Sequence, residues 1–176
     1  MNNQKVITIF GSSKASKLSR RYKEAYLLGK LLAQAGFAVC NGGYSGTMDA
    51  AAKGAVEADG KTIGITVKTF RKKPSEWTII QRQADNYMER MMMLAMVADA
   101  YVVLEGGIGT LSEMTFVWVL NAVKEIKKPI ILIGEAWKNA IDGIIDQLMI
   151  KKSSKDLLIM VDTPEQAVEI LKETLG

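Results

Sequence analysis

The segment from Leu104 to Met114, LEGGIGTLSEM, holds the residues best suited to chemistry. It joins an apolar run to an amphipathic one through three glycines, a threonine and a glutamate. Glycine lets backbone N–H groups approach a phosphate closely, and the start of a helix adds unsatisfied N–H groups and a positive dipole end. The segment is therefore either a phosphate-binding loop with a catalytic carboxylate behind it, or a strand-to-helix turn with ordinary capping residues.

Both interpretations apply to the glutamate of this segment. Thr110 and Glu113 have the spacing of a capping box, in which the two side chains satisfy N–H groups at a helix start. The same pattern occurs at Thr163 to Gln166, where no chemistry is suspected. On spacing alone, capping is favoured over catalysis.

Arg90 is the second candidate for chemistry. It lies near the start of the helical run YMERMMMLAMVAD, which precedes an apolar strand, so it can reach the same rim as the glycine loop. Met88, Met92 and Met96 follow a helical spacing that predicts a core face or a subunit interface. An arginine so close to an apolar stripe needs an anionic partner, because burying its charge unpaired is costly. An exposed position is equally compatible with the sequence.

Two further loops are rich in small residues. They are GSSKAS at 11–16 and NGGYSGTMDA at 41–50, and each follows a predicted strand. In an open parallel sheet such loops share one rim, beyond the carboxyl ends of the strands. Neither GxGxxG nor a Walker A sequence is present at the required spacing. Tyr44 and Met48 could cover a base, although aromatic residues in such loops also fasten neighbouring loops together.

Composition limits the available chemistry. The 176 residues carry a formal charge of +4 and are 48% hydrophobic, which predicts a single unit spanning 1–176. Histidine is absent and Cys40 is the only cysteine. Disulfides, thiolate or imidazole zinc sites and His-activated nucleophiles are thereby excluded within one chain, so catalysis would use carboxylates, Arg, Lys, Tyr or backbone.

Composition and sequence features also limit the binding partners and the cellular location that we expect. The basic residues are dispersed, aromatic residues make up only 7%, and the two are not interleaved, so nucleic acid binding is unsupported. MNNQKVITIF leads directly into an apolar strand without signal-peptide features, and no apolar stretch reaches the length of a membrane span. We therefore expect a cytoplasmic protein without membrane contact.

Short β-branched runs alternate with longer runs of helical period along the whole chain. The predicted strands are KVITIF, FAVCN, KTIGIT, AYVVLE, PIILIG and LLIMVD. The predicted helices are SRRYKEAYLLGKLLAQAG, GTMDAAAKGAVEADG, MERMMMLAMVAD, LSEMTFVWVLNAVKE, WKNAIDGIIDQLMI and PEQAVEILKETL. Strands this apolar are buried on both faces, so the pattern predicts an α/β, doubly wound, Rossmann-like three-layer sandwich with a mostly parallel sheet.

The stretch from Val67 to Asn86 breaks this alternation. It is polar and basic, contains Pro74, and only WTII suggests an extra short strand. A connection of this length is usually functional or mobile. The basic cluster at 68–73 could attract an anion, but a solvated loop is the favoured interpretation.

Taken together, these motifs resemble the LONELY GUY (LOG) family, and the resemblance covers nearly the whole chain. The family pattern P-G-G-x-G-T-x-x-E corresponds to EGGIGTLSE, and the preceding arginine-containing helix corresponds to YMERMM. The glycine-rich G-G-G-x-x-G-x-M loop corresponds to NGGYSGTMDA, and the opening G-S-S corresponds to Gly11, Ser12 and Ser13.

The resemblance implies a function. LOG proteins are cytokinin riboside 5′-monophosphate phosphoribohydrolases, which hydrolyse the N-glycosidic bond of a nucleoside 5′-monophosphate to free base and ribose 5-phosphate. It further implies AMP or an N6-modified AMP as substrate, no metal or cofactor, a homodimer or higher homo-oligomer, and catalytic roles for Arg90 and Glu113. The substrate-binding residues that it implies are Gly11, Ser12, Gly42, Gly43, Gly46, Met88, Gly106, Gly107, Gly109 and Thr110.

Four positions differ from the family pattern. Glu105 stands in place of proline, Met91 in place of lysine, and Asn41 and Asp49 in place of glycines. These differences favour an alternative hypothesis, a non-catalytic nucleotide- or cofactor-binding protein of the same fold, similar to molybdenum-cofactor carriers or nucleotide-ligand sensors. A third hypothesis, lysine decarboxylation, follows only from an old family label and has no supporting motif.

Overall fold

A computed structural model describes residues 4–176, in which helices and strands alternate. The strands are β1 (Val6–Phe10), β2 (Ala38–Asn41), β3 (Thr62–Val67), β4 (Ile80–Ala84), β5 (Ala100–Val103), β6 (Ile130–Ile133) and β7 (Ile159–Val161). The helices are α1 (Arg20–Gln34), α2 (Thr47–Val56), α3 (Tyr87–Val97), α4 (Ile108–Ala122), α5 (Glu135–Gln147) and α6 (Pro164–Leu175), with a 3-10 helix at Lys152–Leu157.

The seven strands form one sheet in the order β4-β3-β2-β1-β5-β6-β7. Every neighbouring pair is parallel. The predicted α/β class is confirmed, and the sheet is wholly rather than mostly parallel. The chain adds strands outward from β1 to β4 and then returns to place β5 on the other side of β1. Loops on either side of that reversal diverge, which opens a crevice at the carboxyl ends of β1 and β5.

Each face of the sheet carries its own hydrophobic core. Successive side chains of a strand point to opposite faces, so Ala100 and Val102 of β5 pack against α1, α2 and α6. Tyr101 and Val103 of the same strand pack on the other face, against α3, α4 and α5. Burial on both faces explains why the strands are continuously apolar and confirms the three-layer arrangement.

The ends of the helices show where side-chain caps form. Ser19, Asn86 and Thr163 cap α1, α3 and α6, and Thr163 with Gln166 forms the capping box predicted there. The starts of α2, α4 and α5 have glycine caps, Gly46, Gly107 and Gly134, and no side-chain cap hydrogen bond. All three uncapped starts lie at the carboxyl edge of the sheet, and residues at the starts of α2 and α4 border the crevice.

The extra strand does not lie where WTII predicts it. The observed β4 begins at Ile80, the last residue of that motif, and continues through polar residues to Ala84. It pairs with β3 at the edge of the sheet, and four of its five residues are exposed. An edge strand is held by backbone hydrogen bonds along one side only, so it needs no apolar pattern, and hydrophobicity could not locate it.

The methionine stripe of α3 is not part of the core. Met88, Met92 and Met96 are 68%, 46% and 56% exposed, although their neighbours Met91 and Leu94 are buried. The core interpretation of the stripe is therefore wrong for this chain, and the subunit-interface interpretation stays a prediction.

Other predictions concern the extent of the chain. Residues 1–3 of the MNNQKVITIF segment lie outside the described residues, and the single unit at 1–176 stays a prediction. Within residues 4–176, no helix combines the length and hydropathy that crossing a bilayer requires.

Candidate active site

The glycine loop between β5 and α4 delivers backbone donors to the crevice. Helix α4 starts at Ile108, earlier than predicted, so Thr110 and Glu113 lie inside the helix. Gly107, Ile108, Gly109 and Thr110 line a cavity at this helix start. Their N–H groups have no side-chain cap, which leaves a helix N-terminus suited to a phosphate.

Glu113 does not cap its own helix. Its carboxylate lines the same cavity and accepts a hydrogen bond from Arg90 Nη1, with 3.2 Å between Oε1 and Nη1. The capping-box interpretation of Glu113 is therefore wrong, because the helix begins one turn too early for its side chain to reach the first N–H groups. Helical spacing from Gly109 to Glu113 instead places the carboxylate one turn behind the glycine loop on the same side of α4.

Arg90 is held on both sides. Its side chain is 5% exposed, its Nε donates to the carbonyl of Ile65 at 2.8 Å, and Nη1 reaches Glu113. The anionic partner predicted for this arginine is thus present. The guanidinium also passes over Gly42, where an added Cβ would stand 1.8 Å from Nη2, so only glycine leaves room for it.

Burial governs the charge of this pair. The Glu113 side chain is 12% exposed, and desolvation raises the pKa of its carboxyl to about 7 even though Arg90 acts in the opposite direction. A carboxyl with a pKa near neutrality can both hold and release a proton at physiological pH. Shifts of this size are typical of functional sites.

The remaining walls come from the loops after β1, β2 and β3. The cavity measures about 280 Å³. Besides Arg90, the lining residues from these loops and from α2 and α3 are Gly11, Ser12, Ser13, Lys14, Gly42, Tyr44, Met48, Phe70, Lys72 and Tyr87. Three cationic side chains, Lys14, Lys72 and Arg90, face a single carboxylate, so the cavity favours an anion.

Comparison with known proteins assigns this chain to a family. Residues 4–168 match the family model described as LDcluster4, SLOG cluster4 family. The chain belongs to the SLOG cluster4 family. It is 32% identical over 116 residues to a protein of Archaeoglobus fulgidus, which covers 64% of this chain and 75% of that protein.

Several proteins similar to this SLOG cluster4 chain have functional names, and two of them illustrate the range. One is the cytokinin riboside 5′-monophosphate phosphoribohydrolase of Mycobacterium tuberculosis, 27% identical over 140 residues, or 74% of this chain and 73% of the relative. The other is the solved molybdenum cofactor binding protein of Rippkaea orientalis, with a TM-score of 0.80 and 26% identity over 100% of both chains. The resemblance to LOG proteins read from the sequence is confirmed.

The structure separates the predicted site residues of this SLOG cluster4 protein into two groups. Those that line the cavity are Gly11, Ser12, Gly42, Arg90, Gly107, Gly109, Thr110 and Glu113. Gly43, Gly46, Gly106 and Met88 are not among its lining residues. Met88 points away on the exposed side of α3. It borders a separate groove, which is also lined by Ser112 and Val119 of α4.

The three glycines outside the lining shape the loops instead. A Cβ on Gly46 would stand 2.2 Å from the carbonyl oxygen of Ser12, and one on Gly106 would stand 2.1 Å from Thr110 Oγ1. Gly43 adopts φ +73°, a left-handed conformation that favours glycine. Gly46 and Gly43 therefore let backbone segments approach closely, and Gly106 leaves room for the Thr110 side chain, so these glycines shape the cavity walls.

The differences from the LOG pattern have local structural partners. Glu105 forms 2.9 Å ion pairs with Arg20 and Arg21 of α1 and does not line the cavity. Asn41 fastens the loop after β2 by accepting from Gly43 N and donating to the Met48 carbonyl. The negative charge that Glu105 places beside the glycine loop is therefore balanced by the two arginines.

Sequence reasoning did not select Ser13, Lys14, Phe70, Lys72, Tyr87 or Ile108 as site residues. Phe70 and Lys72 belong to the basic loop, for which a solvated role was favoured, yet both line the cavity. The unusual length of that connection was the signal that could have found them. The loop-fastening interpretation of Tyr44 is confirmed, since its hydroxyl hydrogen-bonds the backbone of Val67. Tyr44 also lines the cavity, and its contact with a base stays a prediction.

Proposed function

We propose that this protein is a phosphoribohydrolase that acts on nucleoside 5′-monophosphates, AMP or an N6-modified AMP, without metal or cofactor. One observation carries the proposal. The Glu113 carboxylate, paired with Arg90, lies in the same cavity as the uncapped N-terminus of α4. A phosphate-binding helix start and an acidic group one helical turn away match the 5′-phosphate and the C1′ end of a ribose 5-phosphate unit. The name of the M. tuberculosis relative supports the same reaction.

In this proposal the 5′-phosphate binds at the start of α4. The N–H groups from Gly107 to Thr110 and the Thr110 hydroxyl donate to its oxygens, and the helix dipole stabilises its charge. Lys14 and Lys72 add positive potential at the cavity wall. A volume of about 280 Å³ lies at the small end of ligand cavities, which suits a mononucleotide better than a dinucleotide.

Glu113 then stabilises the positive charge that develops on the sugar. As the C1′–N bond breaks, its electron pair leaves with the base and C1′ becomes an oxocarbenium-like cation that the carboxylate stabilises. Water adds its oxygen to C1′ and passes a proton to Glu113, which releases it to solvent before the next turnover, while the base takes a proton from solvent. Arg90 fixes the carboxylate through Nη1 and is itself fixed by the Ile65 carbonyl.

The reaction has a direct test. We expect the purified protein to convert AMP to adenine and ribose 5-phosphate, resolved by chromatography of a panel of purine and pyrimidine monophosphates with and without N6 substituents. Adenosine, which lacks the phosphate, is the control and should not react. No base release from any monophosphate would refute the proposal.

The pH profile follows from the raised pKa of Glu113. The proposed chemistry needs the ionised carboxylate, so kcat/KM should fall about tenfold per pH unit below pH 7 and level off above it. The second ionisation of the substrate phosphate, near pH 6, would steepen the fall below that pH. Steady-state rates between pH 5.5 and 9 measure the profile, with circular dichroism as the control for folding. A flat profile from pH 6 to 8 would contradict the assignment of Glu113.

A second candidate function is non-catalytic binding of a nucleotide or nucleotide-derived cofactor. The match to the molybdenum cofactor binding protein of R. orientalis over the full length of both chains favours it. Mass spectrometry of the protein as purified distinguishes the two functions. A tightly held ligand that stays unchanged over hours would select the binding function.

We further propose that the protein is a homodimer in the cytoplasm, formed through the exposed apolar faces of α3 and α4. Met88, Met92, Met96, Val119 and Val123 are all between 46% and 68% exposed. Exposed apolar patches of this kind mark interaction sites, and a two-fold dimer uses one patch on both copies.

Replacing Met92 with lysine should weaken this dimer. A charge at the centre of a self-complementary apolar face is doubled by symmetry, so we expect predominantly monomer at micromolar concentration in sedimentation velocity. Leu18→Lys, at an 88% exposed position before α1, is the control and should leave the mass unchanged. A wild-type monomer, or a Met92→Lys dimer of unchanged affinity, would contradict the proposed face.

A further inference from the structure

The chemical groups of the cavity follow one another in a definite order. Glu113 lies one helical turn from the glycine loop, and its Oε1 is 3.2 Å from Arg90 Nη1. Arg90 Cζ in turn lies 5.9 Å from the ring centre of Tyr44. The next ring centres follow at 5.8 Å, from Tyr44 to Phe70, and at 6.4 Å, from Phe70 to Tyr87. An anion site, an ion pair and an aromatic wall therefore succeed one another.

This order matches the phosphate, ribose and base of a mononucleotide. We infer that Tyr44, Phe70 and Tyr87 form the base-binding subsite and that Phe70 is the ring on which the base stacks. The inference rests on the proposed function for its substrate class, since it assigns another part of the same cavity. It adds three residues to the site and makes the base, rather than the sugar phosphate alone, a source of affinity.

Phe70 is the ring best placed to receive a ligand. Tyr44 is only 3% exposed, and its hydroxyl accepts from Val67 N at 2.9 Å and donates to Val67 O at 3.2 Å. It therefore forms a fixed floor. Phe70 is 39% exposed while lining the cavity, an unfavourable position for an apolar ring that a stacked base would cover.

The loop that carries Phe70 is fastened to the rest of the site. Phe70 N donates to Val67 O at 3.2 Å, which turns the chain back at the end of β3. Further along, Ser75 N donates to Gly43 O at 2.9 Å and Ser75 Oγ donates to Asp49 at 2.7 Å. The other Asp49 oxygen accepts from Tyr22 of α1 at 2.7 Å. The aromatic wall is thus positioned before any ligand binds, which lowers the entropic cost of stacking.

Affinities of AMP and ribose 5-phosphate test the subsite. Calorimetric titration uses Glu113→Gln protein, so that AMP stays intact, with and without Phe70→Ala. We expect Phe70→Ala to weaken the affinity for AMP by about 5- to 150-fold, the range that corresponds to about 1–3 kcal/mol per stacked base. The affinity for ribose 5-phosphate, which has no base, should change by less than about twofold. Phe70→Tyr keeps the ring and should retain AMP affinity.

Every other result overturns the subsite. Equal weakening of both ligands would show that Phe70 acts through the loop structure, and unchanged AMP affinity, or no AMP binding at all, would remove its role. The outcome is separable from the proposed reaction. If the wild type releases base but Phe70→Ala leaves the affinity for AMP unchanged, only the subsite is refuted. If Phe70→Ala selectively weakens the affinity for AMP but the wild type releases no base, only the hydrolysis is refuted.

Discussion

Replacing Glu113 with glutamine is expected to abolish base release while AMP still binds. Glutamine has nearly the same shape and keeps a hydrogen bond to Arg90, but it can neither stabilise a cation at C1′ nor accept a proton from water. Losses of about 10²–10⁴-fold accompany removal of a single charge-stabilising or proton-transferring group. Because Glu113 has both roles here, we expect kcat to fall by at least about 10³-fold while the affinity for AMP changes by less than about tenfold. Single-turnover rates and calorimetry measure the two quantities.

A matched variant controls for charge and helix position. Glu135 also lies at the start of a helix on the carboxyl edge of the sheet, is exposed and does not line the cavity. Glu135→Gln should keep wild-type turnover. Retention of more than about a tenth of the wild-type kcat in Glu113→Gln would contradict a role for this carboxylate in the chemistry.

Replacing Arg90 with alanine should destabilise the fold in a pH-dependent manner. It leaves the Glu113 carboxylate buried without its partner, and breaking a buried ion pair in this way costs about 3–5 kcal/mol. Arg90 lowers the pKa of Glu113, so its removal raises that pKa above about 7. The carboxyl is then protonated in the folded state at mildly acidic pH, and the penalty should appear in full only at alkaline pH.

The sign of the pH effect follows from linkage. A group with a folded-state pKa above its unfolded value contributes stability that is fully present below the unfolded pKa, 4.5 here, and is lost as pH rises through the folded pKa. Urea unfolding should therefore show Arg90→Ala closer to wild type at pH 5.5 than at pH 8.5. The double variant Arg90→Ala/Glu113→Gln carries no unpaired charge and should recover part of the loss at pH 8.5. Equal losses in both variants at both pH values would contradict a coupled pair.

The local patterns of the sequence were sufficient for most elements of this fold. The six strands predicted from apolar runs correspond to β1, β2, β3, β5, β6 and β7, and α6 occupies the predicted residues. Such runs are informative because strands buried on both faces exclude polar residues. The exposed edge strand β4 lies outside that rule, since its polar residues meet solvent rather than a core.

Helix boundaries near the site were harder to predict for a physical reason. The Thr110 to Glu113 spacing has the form of a cap, yet α4 begins at Ile108, after Gly107, and its first N–H groups have no side-chain cap. At Thr163 the same pattern does form a capping box. Local sequence is identical in form at the two places, and only the surroundings distinguish them.

By itself, the sequence determined the α/β class, the three small-residue loops on one rim, the absence of histidine chemistry and the resemblance carried by EGGIGTLSE and YMERMM. These properties depend on local patterns and composition. The tertiary structure decided that Glu113 pairs with Arg90, 23 positions away, and that Phe70 of the long loop lies beside Tyr44 in the lining of the same cavity. Contacts between distant segments depend on strand order and on the space between loops, which no short stretch of sequence encodes.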